Sequence, residues 1–204
     1  MKTLFKTLAL VIAMTATSLT LHAQVSEQAK VVLNNIMTRA SVRGFVEKPV
    51  EQEKIDLMLR AAMAAPTDRN LQPWHFVVLN TPEAVAQYYG DGERAARMRK
   101  TPLVIVVCAD STRMQDGETR SIWIQDISAA TENLLLAAHA LDLGAVWTTV
   151  YPLEARVQNV REKLNLPAHI TPLCAVRIGY PNPERPAQPK DKWDENKVTY
   201  GLWK

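Results

Sequence analysis

A chain of 204 residues is long enough for one domain with a real core and too short for two comfortable ones. Its 47% hydrophobic and 22% charged residues are ordinary globular composition and exclude a disordered chain. The formal charge is +3, or +3 − 2 = +1 without Lys2 and Lys6 of the first 23 residues, and a near-neutral chain gives no reason to expect nucleic acid or an anionic membrane as a partner.

The chain opens with Lys2 and Lys6, a short apolar stretch from Leu8 to Met14, then small and polar residues up to Leu21-His22-Ala23-Gln24. The stretch is too short to span a bilayer core of ~30 Å, so residues 1–23 are expected to be a signal peptide cleaved after Ala23. An uncleaved anchor is the alternative. Cleavage leaves 24–204 as one periplasmic or secreted domain, closer to neutral for the loss of two lysines and with no stable membrane insertion. Export permits a disulfide. Cys108 and Cys174 each sit in an apolar run, where a lone thiol behaves as a small hydrophobe, and the sequence leaves open whether they approach each other.

Val25, Ala29, Val32, Leu33 and Ile36 recur at helical spacing and predict an amphipathic first helix. A basic loop from Met37 to Phe45 follows, then a helix starting near Pro49 that buries Ile55, Leu59 and Ala62 and ends by Pro66. The loop Thr67 to Pro73 feeds a strand from Trp74 to Leu79. Thr81-Pro82-Glu83 begins another helix, followed by a solvated basic stretch, Arg94 to Lys100. Leu103 to Cys108 is a buried strand. The longest helix runs from about Ser121 to Leu143, with Gly144 as its stop signal. Ile127, Ala130, Leu134, Ala137 and Leu141 form one stripe, while Ala129, Leu136 and Ala140 form another. Burial on two sides suggests a partner subunit over part of it; a helix central to the monomer is the alternative. A strand from Ala145 to Val150, a helix from about Leu153 to Leu164 and a strand from Leu173 to Ile178 complete the pattern. The tail, Pro183 to Lys192, ends in Trp193, Tyr200 and Trp203, which suggests a segment pinned on another surface. Strands alternating with helices indicate a sheet covered on both faces.

Gly90-Asp91-Gly92-Glu93-Arg94-Ala95 fits a dinucleotide fingerprint in letters only, because it follows a helix where a strand is required; a surface turn is expected. The histidines lack metal-ligand spacing. Asp126 and Glu132, six apart on the long helix, are expected to have solvent or interface roles in preference to acid/base work.

Two loops carry ligand chemistry. Arg39 and Arg43 flank Ser41, a set suited to a phosphate monoester because Arg donates parallel, charge-assisted hydrogen bonds; a merely solvated basic loop is the alternative. Asn70 and Gln72 stand between Pro66 and Pro73, and their amides offer donors and acceptors to the mixed edge of a heteroaromatic ring; ordinary turn chemistry is the alternative.

Arg39-Ala40-Ser41-Val42-Arg43-Gly44-Phe45 and the run Ala64 to Phe76 resemble the amino-terminal signature of the FMN-dependent nitroreductase family. Gln125 to Ala130, Ala137 to Leu141 and Leu143-Gly144-Ala145-Val146-Trp147 are similar to its central dimer helix and following strand, and Ile178-Gly179-Tyr180-Pro181 to its last strand and turn. The resemblance covers the whole chain after residue 23, in order. It implies an α+β fold, a three-layer α/β/α sandwich with a mixed, mostly antiparallel central sheet and a long dimer-interface helix. It implies FMN at a homodimer interface, with a carboxy-terminal arm wrapping the partner. By the same resemblance Arg39, Ala40, Ser41 and Arg43 hold the phosphate and ribityl chain, and Asn70 and Gln72 reach the ring edge or ribityl hydroxyls. Trp147, Thr148 and Thr149 approach the ring, and Lys190 or Lys192 completes the phosphate site. Ala40 stands where the family usually has a second Arg, and Thr148-Thr149 where many members have a Gly. The implied activity passes electrons from NAD(P)H or another donor to a small oxidant such as a nitroaromatic or quinone, with no acid/base residue required. Another flavin reaction on this scaffold, or an exported FMN-binding dimer without turnover, is the alternative.

Overall fold

The computed structural model describes residues 25–203, so the segment read as a signal peptide lies outside the described residues. Helix α1 is Glu27–Thr38 and α2 is Gln52–Met63. Strand β1, Trp74–Leu79, leads to α3, Pro82–Tyr89, and α4, Glu93–Met98. Then come β2, Leu103–Asp110, the long helix α5, Trp123–Ala140, and β3, Gly144–Thr149. Helix α6, Glu154–Leu164, and β4, Ile170–Gly179, precede the tail.

The four strands lie in the order β1-β2-β4-β3, each antiparallel to its neighbour. Among the described residues the parallel pairing is an isolated bridge, Ser41 to Ala145. β2 shows why the run was uniformly apolar. Leu103, Ile105, Val107 and Ala109 face a layer made by α2 and α5, through Ile55, Met58, Ile127 and Leu134. Val104, Val106 and Cys108 face the opposite layer, with Val85 and Tyr88 of α3 and Val157 and Val160 of α6. Each such aliphatic side chain contributes about 1.5–3 kcal/mol on full burial. Burial on both faces, rather than parallel pairing, removes the polar alternation.

The same geometry decides the cysteines. Cys108 belongs to one layer and Cys174 to the other, and both thiols are free and buried. Burial pushes each up to about 12.

Local signals account for most boundaries. Thr81 Oγ1 accepts the Ala84 N–H at 3.2 Å, and Pro82 fills the first turn of α3. Gly90-Asp91-Gly92 is the expected turn, but the basic stretch after it contains α4. Gly144 is not the stop of the long helix. Asp142 takes the left-handed conformation, φ 61°, while the Leu143 N–H reaches Ala138 O at 2.9 Å and the Asp142 N–H reaches His139 O at 3.1 Å. This Schellman closure uses an Asp where a Gly was expected. α2 begins three residues beyond Pro49, and β4 extends to Ile170 because a register shift at Val107/Cys108 absorbs Pro172.

On α5 the first stripe is buried at Ile127, Ala130 and Leu134, whereas Ala129 and Leu136 are half-buried and Ala140 is exposed. The amphipathic pattern of α1 is likewise uncovered at its end: Leu33, Ile36 and Met37 are exposed.

Candidate functional site

Two glycines let the basic loop lie against the sheet. The Val42 N–H donates to Ala145 O at 3.0 Å and the Val46 N–H to Tyr180 O at 3.0 Å, so residues 41–46 run along the starts and ends of β3 and β4. A Cβ on Gly144 would fall 2.6 Å from Val42 Cβ, and one on Gly179 would fall 2.6 Å from Pro102 Cγ. The tail then returns to the same loop, where the Asn182 N–H donates to Gly44 O at 3.0 Å and the Arg185 N–H to Asn182 O at 3.0 Å.

Loop and tail enclose a cavity of about 670 Å³. Arg39, Ala40, Ser41, Arg43 and Gly44 line one side; Arg185, Gln188, Lys190 and Lys192 line the other. Among the described residues, five cationic side chains and no carboxylate face it. Arg39 is steadied from behind by Glu132, Nε to Oε1 at 3.5 Å, and Arg43 Nη1 donates to Ser41 O at 3.4 Å. Arg185 was not among the residues singled out from sequence. Its place in a Pro-rich basic tail shared with Lys190 was the available signal, and only the turn at Asn182 brings it over Gly44.

The amide loop is held in an unusual backbone. Arg69, Asn70 and Gln72 have φ of 47°, 57° and 51°. Non-glycine residues in the left-handed region cost of order 1–3 kcal/mol each and persist only where surroundings fix them. Here Thr67 Oγ1 accepts the Gln72 N–H at 3.1 Å, and Gln115 donates to the Asp68 carboxylate. Asp126 Oδ1 accepts the Asp68 N–H at 3.0 Å. Asp126 is therefore a buried loop anchor, not a solvent or interface residue as its place on the helix suggested. Burial, more than the opposing Asp68 N–H bond, raises its carboxyl above the ordinary Asp value. Gln72 Nε2 donates to Asn70 Oδ1 at 2.9 Å. Among the described residues, the Asn70 amide nitrogen and Gln72 amide oxygen have no protein hydrogen-bond partner, so both donor and acceptor capacity stays open.

Not all the expected residues meet in this chain. Arg39, Ala40, Ser41, Arg43, Lys190 and Lys192 line one cavity; Asn70, Gln72, Trp147, Thr148 and Thr149 do not line it. Trp147 packs against the α2/α5 layer, and Thr148 and Thr149 are exposed, the latter's carbonyl accepting from Arg156 Nη1 at 2.9 Å. By strand direction, Trp74 begins β1 at the end of the sheet where Thr149 finishes β3, while Ser41 pairs near the other end. Helix α5 relates the two regions: Asp126 holds the amide loop and Glu132, six residues on or about 9 Å of helix rise, holds Arg39.

The model of the Nitroreductase family matches residues 36–93 and 91–180. A Methanothermobacter thermautotrophicus protein with the provisional name NADH dehydrogenase/NAD(P)H nitroreductase is 38% identical over 172 residues, covering 84% of this chain and 87% of its own. A Bacteroides thetaiotaomicron crystal structure under the same provisional name is 42% identical, with TM-score 0.75, covering 85% of this chain and 98% of that one. The structure of an FMN-dependent nitroreductase from Clostridium difficile R20291 is 28% identical, with TM-score 0.71, over 84% of this chain and 99% of its own.

Proposed function

This chain belongs to the nitroreductase family, and from that premise we propose that it is an FMN-dependent oxidoreductase carrying electrons from a reduced donor to a small oxidant. The observation that carries the reading is the cavity with five cations and no carboxylate. A phosphate monoester bears about −1.5 to −2 charges and three acceptor oxygens, and fits that donor set better than a neutral or cationic ligand would.

Arg39, Arg43, Lys190 and Lys192 hold the phosphate, Arg185 adds a fifth charge, and the Ser41 hydroxyl meets the phosphate or ribityl chain. The surplus of cations offsets the absence of an Arg at Ala40. Asn70 and Gln72 meet the ring edge with the amide N–H groups and the Gln72 oxygen that their mutual bond leaves over. Trp147, Thr148 and Thr149 border the ring. When bound, FMN supplies the two-electron redox chemistry, in ping-pong turnover between NAD(P)H or another donor and a nitroaromatic or quinone. The protein orients the ring, neutralises the phosphate and needs no general acid or base.

The chain works as a homodimer exported through its first 23 residues. Exposed Leu33, Ile36 and Met37 on α1, the half-covered second stripe of α5, and Trp193, Tyr200, Leu202 and Trp203 at 74–90% exposure form the apolar surface that a second copy covers.

Purified protein titrated with FMN should show a perturbed flavin absorption band that bleaches on anaerobic addition of a two-electron donor. The Arg39→Ala/Arg43→Ala double variant should lose flavin, since each charge-assisted contact is worth about 1.5–3 kcal/mol. Full flavin retention by that variant overturns the phosphate assignment. Flavin binding without bleaching under any donor supports instead a binding protein without turnover.

A further inference from the structure

Tyr180 does not line the cationic cavity, yet the two walls of that cavity are joined beside it. The chain leaving β4 pairs antiparallel with the basic loop. The Val46 N–H donates to Tyr180 O and the Asn182 N–H to Gly44 O, each at 3.0 Å, on either side of the Phe45–Pro181 bridge. That bridge is a non-hydrogen-bonded pair, so the N–H that Pro181 lacks is not missed. Arg43 stands just before this short ribbon on one strand and Arg185 just after it on the other. The Arg185 N–H donates to Asn182 O at 3.0 Å, and its Cβ and Cδ each lie 3.3 Å from where a Cβ on Gly44 would stand.

Two backbone hydrogen bonds are a weak hold on a chain segment, because water competes for both. The Tyr180 side chain supplies the rest. Its hydroxyl donates to Glu51 Oε2 at 2.7 Å, within the short range of a charge-assisted bond. Lys48 Nζ stands 3.8 Å from the ring centroid and 3.3 Å from Glu51 Oε1. Lys54 Nζ is 4.9 Å from the same centroid and donates to Leu141 O, at the end of α5, at 2.8 Å. The ring itself packs against the core formed by α2 and α5. Glu51 immediately precedes α2, whose Ile55, Met58 and Ala62 are buried. The hydroxyl thus ties a solvent-edge ribbon to a helix that cannot shift without disturbing the core. Cations near the ring and a carboxylate on its hydroxyl fix both the place and the tilt of the side chain.

We propose that Tyr180 is a positioning residue for the phosphate cavity, its bond to Glu51 holding Pro181-Asn182 against Gly44-Phe45 so that Arg185 stays in register with Arg43. The inference rests on the cofactor reading given above and assigns Tyr180 no contact with the ligand. Arg43 and Arg185 line the cavity from opposite sides, whereas Lys48, Glu51 and Tyr180 do not line it. Loss of the hydroxyl bond loosens the ribbon and separates cations that must converge on one phosphate.

The test compares wild type with variants, both flavin-free and saturated with FMN. Amide exchange at Asn182 is followed by NMR in the flavin-free protein, and FMN affinity by fluorescence quenching. In the complex, the ³¹P shift reports the phosphate setting and the visible band reports the ring. Tyr180→Phe removes only the hydroxyl. It should speed exchange at Asn182, weaken FMN several-fold and move the ³¹P shift toward that of free FMN, with the visible band unchanged. Glu51→Ala should do the same, and the double variant should go little further, since both break one bond. Glu51→Gln keeps an acceptor oxygen and should retain most of the affinity. Tyr180→Ala loses the ring as well and should weaken FMN by about tenfold or more, the value of one charge-assisted contact. Tyr180→Phe, with its ring still packed, carries the test if Tyr180→Ala does not fold. Wild type that takes up no FMN overturns the cofactor reading and this inference together. Wild type that binds FMN, with Asn182 exchange, affinity and ³¹P shift all unchanged in Tyr180→Phe and Glu51→Ala, overturns this inference alone.

Discussion

Gly144→Ala is a severe test of how the basic loop is held. The added Cβ would stand 2.6 Å from Val42 Cβ, 2.6 Å from Cγ1 and 2.7 Å from Cγ2. Carbon atoms in contact prefer about 3.5–4.0 Å, so Val42 has to retreat by about 1 Å. Overpacking of this kind costs about 1–3 kcal/mol. Val42 sits between Ser41 and Arg43 and is tied to Ala145 by its own N–H, so its retreat carries both cavity residues with it. Part of the strain should appear as lost stability in urea, and part as weaker flavin binding, at about tenfold per 1.4 kcal/mol. Fluorescence quenching of FMN gives the second quantity. Val42→Gly removes all three clashing atoms, so in a double-mutant cycle it should recover at least about 1 kcal/mol in the Gly144→Ala background. A coupling energy near zero, or wild-type stability and flavin affinity in Gly144→Ala alone, would refute the packing argument.

Asp126→Ala leaves the Asp68 N–H without its acceptor and should cost about 1–3 kcal/mol, with weaker flavin binding through the amide loop; Asp126→Asn keeps an oxygen there and should retain most of both. Because burial raises the Asp126 pKa above its unfolded value near 3.9, its contribution to stability is present below that value and declines as pH rises through the folded one. The Asn variant should flatten that part of the pH–stability curve, and an unchanged curve would count against the assignment. Glu51 is held at about 2, first by the Tyr180 hydroxyl that donates to it at 2.7 Å. Its stabilising effect is present above the ordinary Glu value and lost as pH falls toward 2, so Tyr180→Phe should raise the Glu51 titration midpoint in carboxyl NMR. Cys108 and Cys174, with thiols near 12 and fully buried, should resist a thiol reagent in the native protein and both react once urea unfolds it; native labelling of either would contradict their placement.

Much of this protein was legible before any coordinates. The strand from Trp74 to Leu79, the apolar run after Pro102 and the long helix after Ser121 are local patterns, and burial on one or both faces writes itself directly into residue type. The positive charge of the basic loop and of the tail was also legible, whereas the meeting of Lys190 and Lys192 with that loop was implied only by the family resemblance. Helix α4 was not, since six residues beginning in a Gly-rich turn carry too short a period to separate from solvated loop. The role of Gly144 was misassigned because a glycine beside a helix end has two uses, a left-handed turn or a close approach, and only the position of Val42 decides between them.

What the sequence determined by itself was composition, periodicity and charge: an α+β chain with a cationic loop, an amide loop and a basic tail. Tertiary structure alone decided which of these meet. It folded Arg185 over Gly44 and set the two cysteines on opposite faces of the sheet. It also turned Asp126 inward onto Asp68. Contacts between residues dozens of positions apart depend on sheet order and register, and no local pattern encodes those.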